Sequence, residues 1–169
     1  MLKTNKTLLR PPVDKDKEFL LQLRNDIDLQ VMLMSRAKPN TLNKIEFWLN
    51  QKLSDEHGVF FVIADVDNDF PVGYIQLVKI DFINRKCELG ICIDTQYHGN
   101  GYAVDAFTLL EDYAKKILNI HKIVISVLTT NNRAIRFYKK MLYQIVGVLK
   151  ADFYIENEFH DVLLMEKIV

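Results

Sequence analysis

Residues 87–127 constrain the fold of this chain more than any other stretch. CELGICID alternates as a strand does, and QYHGNGYA follows with two glycines one residue apart. From Tyr102 to Leu118 apolar residues then recur at helical spacing, with Ala106, Leu109, Leu110, Tyr113, Ala114 and Ile117 on one stripe. KIVISV, another strand, comes next. A strand, a loop, a long amphipathic helix and a returning strand make a crossover, so these two strands are expected to lie parallel with the helix covering the sheet.

The loop between strand and helix has a chemical reading of its own. The first turn of a helix leaves amide hydrogens without partners, and the macrodipole adds partial positive charge there. A diphosphate suits that end of a helix. Gly99 and Gly101 have no Cβ, so the backbone can take unusual dihedrals and approach phosphate oxygens closely. The spacing matches neither common nucleotide motif, since no lysine follows as in GxxxxGK[ST] and no third glycine stands in the neighbourhood of Asp105 and Ala106. By itself the pattern reads equally well as a plain glycine turn.

The flanking sequence supplies the remaining elements. TLLRPP reads as a short strand stopped by Pro11 and Pro12. Asp14 is placed to cap a helix carrying Phe19, Leu20 and Leu23, and Thr41 to cap a second with Leu42, Ile45, Trp48 and Leu49. FFVIAD and GYIQLVKI are strands, NNRAIRFYKK is a short helix opened by Asn131, and two strands close the chain near 146–153 and 159–167. No linker or repeat interrupts this order, so one domain over 1–169 is expected. The class is α/β (α+β), with a twisted mixed central sheet of about seven strands flanked by about four helices.

Composition narrows the function classes. Lysine plus arginine equals aspartate plus glutamate at 22 each, without the basic excess of a general nucleic-acid binder, so no nucleic-acid partner is expected. MLKTNKTLLR lacks the apolar run of a signal peptide or membrane span, which points to a cytoplasmic protein with no membrane partner. Cys87 and Cys92 lie five residues apart on one strand and face opposite sides, so both are expected to be reduced and buried. His57, His121 and His160 are dispersed, and no metal site is expected.

QYHGNGYA followed about thirty residues later by NNRAIRFY resembles the GNAT superfamily of acyl-CoA N-acyltransferases. The likeness covers about Phe60 to Glu166 and fits the first 55 residues more loosely. KIDFINRKCELGI is also similar to the branch holding ribosomal-protein, spermidine and nucleotide-aminosugar N-acetyltransferases. The resemblance implies a sheet splayed near its middle with acetyl-CoA as cosubstrate in the cleft. It assigns cofactor contacts to Gln96, His98, Gly99, Asn100, Gly101, Tyr102 and Ala103 in the loop, to Asn131, and to the strand backbone at Ile91, Cys92 and Ile93. One departure stands out: the family's usual Gly-Phe pair after the last helix is Leu142-Tyr143 here, which puts the geometry of that helix end in question.

Acyl transfer to an amine needs a held donor, a neutral amine and a proton for the leaving thiolate. Tyr138 is the expected general acid, since a phenol keeps its proton at neutral pH and can donate as charge develops on sulfur. Its alternative role is a core aromatic beside Phe137. Glu88 is the expected base, bordering the cleft as the resemblance implies; its alternative is a surface glutamate paired with Arg85 or Lys86. His98 titrates near neutrality but is read as an exposed side chain near a phosphate.

Arg24 to Lys52, which shapes the acceptor site in similar proteins, carries five basic residues and three acids. A polyamine would be better served by a carboxylate excess. The expected acceptor is therefore a neutral or anionic small-molecule amine such as a nucleotide-linked aminosugar. Alternatives are a polyamine, a protein N-terminus, or a non-catalytic acyl-CoA sensor. The final strands are expected either to form an exposed edge or to pair across a homodimer.

Overall fold

The computed structural model describes all residues, 1–169. Its chain opens with β1 (Leu2–Lys3) and β2 (Thr7–Arg10), the latter ending where Pro11 removes the ladder donor. A turn at Asp14–Asp16 leads into α1 (Lys17–Asn25), and α2 (Ile27–Met32) follows at once because the Asp26 side chain accepts from Leu29 N at 2.9 Å and starts a new helix. Next come α3 (Leu42–Ser54), capped by Thr41, and the antiparallel run β3 (Val59–Asp65), β4 (Pro71–Asp81) and β5 (Lys86–Ile93). The crossover helix α4 (Tyr102–Lys116) leads to β6 (Lys122–Leu128), then α5 (Asn132–Lys140) and the hairpin β7 (Gln144–Ile155) with β8 (Glu158–Ile168).

All strands join one sheet in the order β1-β2-β3-β4-β5-β6-β8-β7, and β5–β6 is the sole parallel pair, as the crossover requires. Eight strands and five α-helices replace the expected seven and four. The extra strand is β1, whose two residues are too few to show a period, and the extra helix is α2, created by the Asp26 cap.

Two local expectations are corrected. Asp14 caps nothing; Asp16 instead accepts from Val13 N at 2.8 Å and takes a two-pronged contact from the Arg10 guanidinium at 2.6 and 2.9 Å, with both side chains buried. Ile117 is two-thirds exposed because α4 ends at Lys116, and the stripe it was assigned to is filled by fully buried Phe107.

The sheet separates two apolar cores. On one face Ile75, Leu77, Cys87, Leu89 and Ile93 pack under Ala106, Phe107 and Leu110 of α4. On the other Phe60, Val62, Tyr74 and Cys92 pack under Leu20 and Leu23 of α1 and Ile45 and Leu49 of α3. Cys87 and Cys92 thus enter opposite cores as free thiols, and burial pushes both up to about 12. No helix is long and apolar enough to cross a membrane.

Candidate active site

The site begins where the sheet comes apart. The ladder between β5 and β6 holds only Lys86 with Lys122, Cys87 with Ile123 and Glu88 with Val124, yet β5 continues to Ile93 and β6 to Leu128. On its other edge β6 pairs β8 along its whole length, from Lys122 with Ile168 to Leu128 with Val162. The strands therefore fork just past Glu88, leaving the backbone of Leu89, Gly90, Ile91 and Cys92 without a strand partner on the fork side. An extended amide-bearing ligand can add there as a strand would.

The glycine loop closes the wide end of the fork. Asp94 accepts from Gln96 N and from the Gln96 side chain, both at 3.0 Å, turning the chain out of β5. Gly99 and Gly101 then adopt left-handed φ of +82° and +89°, with nothing within 4 Å of where a Cβ would stand. The glycines thus serve backbone conformation and leave the space above them open. The amides of Gly99, Gly101, Tyr102, Ala103 and Val104 donate to no protein acceptor. Such a row of free donors at the start of a 15-residue helix fits a diphosphate and so fits the cosubstrate named above.

Side chains of the loop hold it in place. Tyr102 is buried and its hydroxyl donates to Asp65 Oδ2 at 2.7 Å, while Lys6 lies 4.6 Å over its ring and also contacts the Asn100 carbonyl. Ala103 packs against the α4 core. His98 is a part-buried strut: Nε2 lies 2.9 Å from the Ile93 carbonyl and Nδ1 meets the Arg133 guanidinium. Guanidinium only donates, so Nδ1 accepts and Nε2–H donates, which is the neutral imidazole. Burial lowers its proton affinity in the same direction.

Asn131 caps α5 through Ala134 N at 3.1 Å. Within α5, Tyr138 packs against Phe107, Phe137 and Tyr143, at ring-centre distances of 5.8, 5.6 and 6.3 Å. Burial pushes its phenol up to about 12. The ring is thus a packing residue of the α4 core while only partly buried. The departure at Leu142 is resolved: it sits at φ +69° while Leu142 N donates to the Lys139 carbonyl and Tyr143 N to the Tyr138 carbonyl, both at 3.0 Å. A leucine thus closes a Schellman motif usually closed by glycine.

Glu88 stands at the fork on the α1/α3 face of the sheet, opposite Cys87 and Leu89. Its carboxylate meets Lys79 Nζ at 2.9 Å, not Arg85 or Lys86. Lys79 is brought there by a break in the β4–β5 register between Val78 and Asp81 and by its own φ of +52°. The same face holds two buried polar atoms without partners, Arg24 Nε and Gln76 Oε1, and the Arg24 guanidinium lies 4.5 Å over Trp48. Lys79, Lys6 and Arg133 were missed from sequence because each meets its partner across a loop, a strand or most of the chain.

Residues 6–143 match the family model for the acetyltransferase (GNAT) domain. The chain belongs to the GNAT acetyltransferase family. It is 29% identical over 150 residues to the spermidine N(1)-acetyltransferase of Vibrio cholerae serotype O1, covering 89% of this chain and 86% of that protein. Identity to the Escherichia coli K12 spermidine N(1)-acetyltransferase is 26% over 157 residues, covering 93% and 83%. Among solved structures, Vibrio cholerae spermidine N-acetyltransferase in complex with CoA and spermine has TM-score 0.90 at 25% identity, covering 98% of this chain and 96% of that one.

These relatives favour the polyamine alternative over the aminosugar expectation. That expectation rested on counting charges between Arg24 and Lys52, and the fold shows why the count misleads. Two of the five basic residues are engaged within the protein: Arg24 stacks on Trp48, and Lys44 Nζ donates to the Pro39 carbonyl at 3.1 Å. The net sign of a segment carries no direction, and acceptor recognition depends on where each charge points.

Proposed function

We propose that this GNAT acetyltransferase transfers an acetyl group from acetyl-CoA to a primary amine of a polyamine such as spermidine or spermine. The observation that carries this reading is similarity to spermidine N-acetyltransferases over nearly the whole chain, together with a fork that leaves donor-binding backbone free. The free amides of Gly99, Gly101, Tyr102, Ala103 and Val104 hold the diphosphate, with Gln96, His98, Asn100 and Asn131 shaping and bracing the site. The fork-side backbone of Ile91 and Cys92 aligns the pantetheine arm, while the Ile93 carbonyl, expected to share that role, is held by His98.

Glu88 takes a proton from the incoming ammonium, freeing the nitrogen lone pair. The nitrogen then bonds to the thioester carbonyl carbon, the carbon–sulfur bond breaks, and Tyr138 donates its phenolic proton to the departing sulfur. The second proton shed by nitrogen restores the phenol. With its affinity for protons raised by burial, Tyr138 is protonated at the start of every cycle at neutral pH. A cationic acceptor competes directly with Lys79 for Glu88, so the acceptor's own charge exposes the base.

The deciding experiment follows CoA thiol release from acetyl-CoA across polyamines, aminosugar nucleotides, amino acids and short peptides, with a no-acceptor blank for Cys87 and Cys92. Release with spermidine or spermine above all others supports the reading. Silence with polyamines and release with another class overturns it.

Self-association is part of the same reading. Edge strand β7 exposes Val146, Val148 and Leu149, and a structure of the Vibrio cholerae enzyme, 26% identical with TM-score 0.82, is described as dodecameric. Sedimentation of Val148→Lys against the parent tests it, with loss of the larger species expected.

A further inference from the structure

The mouth of the fork carries a charge that no protein acid neutralises. Arg133 is exposed in the first turn of α5, forms no ion pair with any carboxylate, and spends one N–H on the neutral His98 ring. A guanidinium donating to an uncharged acceptor beside five free amides is an unfinished anion site. The contact also spans the opening: His98 is tied to the end of β5 through the Ile93 carbonyl, and Arg133 belongs to the helix that follows β6. The strands that part at Glu88 are thus rejoined at their far end by this single polar link, directly beside the glycine loop.

We propose that Arg133 is a phosphate-binding residue for the acyl donor, parked on His98 in the free protein and transferred to a donor phosphate on binding. The exchange is favourable because a phosphate oxygen is an anionic acceptor that the guanidinium can grip with two parallel N–H bonds, whereas the imidazole offers one neutral nitrogen. His98 then loses its partner without being left charged, since its neutral tautomer still donates to Ile93. The parking keeps a long side chain ordered at the mouth and lowers the entropy lost on capture. This inference rests on the loop being the donor site.

Acetyl-CoA affinity by calorimetry and KM against kcat are compared for the parent, Arg133→Gln and Arg133→Lys. Loss of one charge-assisted contact raises Kd and KM for acetyl-CoA by about tenfold to a hundredfold in Arg133→Gln, with kcat unchanged and a smaller loss in Arg133→Lys. Repeating the titration with acetyl-CoA lacking its ribose 3′-phosphate locates the contact. A penalty that vanishes places Arg133 on that phosphate, and one that persists places it on the diphosphate. Unchanged affinity in Arg133→Gln, or a fall in kcat at constant KM, overturns the proposal while leaving the donor site intact. Absence of binding by the parent overturns the donor site itself. Should Arg133→Gln fail to fold, Arg133→Lys carries the same test through its weaker loss.

Discussion

The two edges of β6 show how one strand serves two purposes. Toward β8 it is paired from Lys122 to Leu128, and Ile125 lies opposite Met165, both buried to about 1% exposure or less. Toward β5 pairing stops after three residues, and what lies beyond is a fork lined by free backbone, Glu88 and the loop amides. The closed edge satisfies itself, whereas the open edge leaves its hydrogen bonds for a ligand. Residues on the first should therefore govern stability, and residues on the second turnover.

The sharpest contrast comes from Tyr138→Phe on the open side. Losing the acid lowers kcat by about 10²–10⁴-fold while acetyl-CoA affinity by calorimetry stays within about twofold of the parent. Equal turnover would remove Tyr138 from the chemistry. Met165→Ala on the closed edge gives the converse: a loss of about 2–5 kcal/mol in urea unfolding, with KM for acetyl-CoA unchanged in the folded fraction. A large KM change there would show that the two edges are coupled.

Glu88→Gln tests the fork itself and should reduce kcat/KM for the amine by about 10²-fold, with little effect on unfolding because its partner Lys79 is largely exposed. A smaller effect is expected at the helix end. Leu142→Gly relieves the left-handed strain at φ +69° and stabilises by about 1 kcal/mol in the same urea series, a gain with no counterpart in kcat.

The loop strut supplies the pH dependence. His98 binds its proton less readily when folded than the ordinary 6.5, chiefly through burial, so its contribution to stability is complete above about pH 6.5 and is lost as pH falls toward the folded value. Melting curves from pH 7 to pH 5 should show this slope in the parent and a shallower one in His98→Asn. An unchanged slope would mean that other groups carry the acid response.

How much of this was legible beforehand depends on the range of each interaction. The strand from Lys86, the α4 pattern and the Asn131 cap are set by residues within a turn or two, and all three were readable. β1 was too short to show a period, and α2 depended on a cap at Asp26 that only its link to Leu29 N reveals. The Glu88 partner was misjudged because a register break in β4, invisible as pattern, turns Lys79 toward Glu88 ahead of the nearer Arg85 and Lys86.

The sequence by itself determined the alternation that makes β5, the glycines that permit φ of +82° and +89°, and the helix that presents free amides behind them. These are local consequences of backbone sterics and hydrogen-bond valence. Only the tertiary structure decided that β5 and β6 part after Glu88, that His98 and Arg133 meet across the opening, and that Arg24 and Lys44 turn to partners within the protein. Those outcomes depend on the directions in which distant side chains approach, and a linear order of residues carries no direction in space.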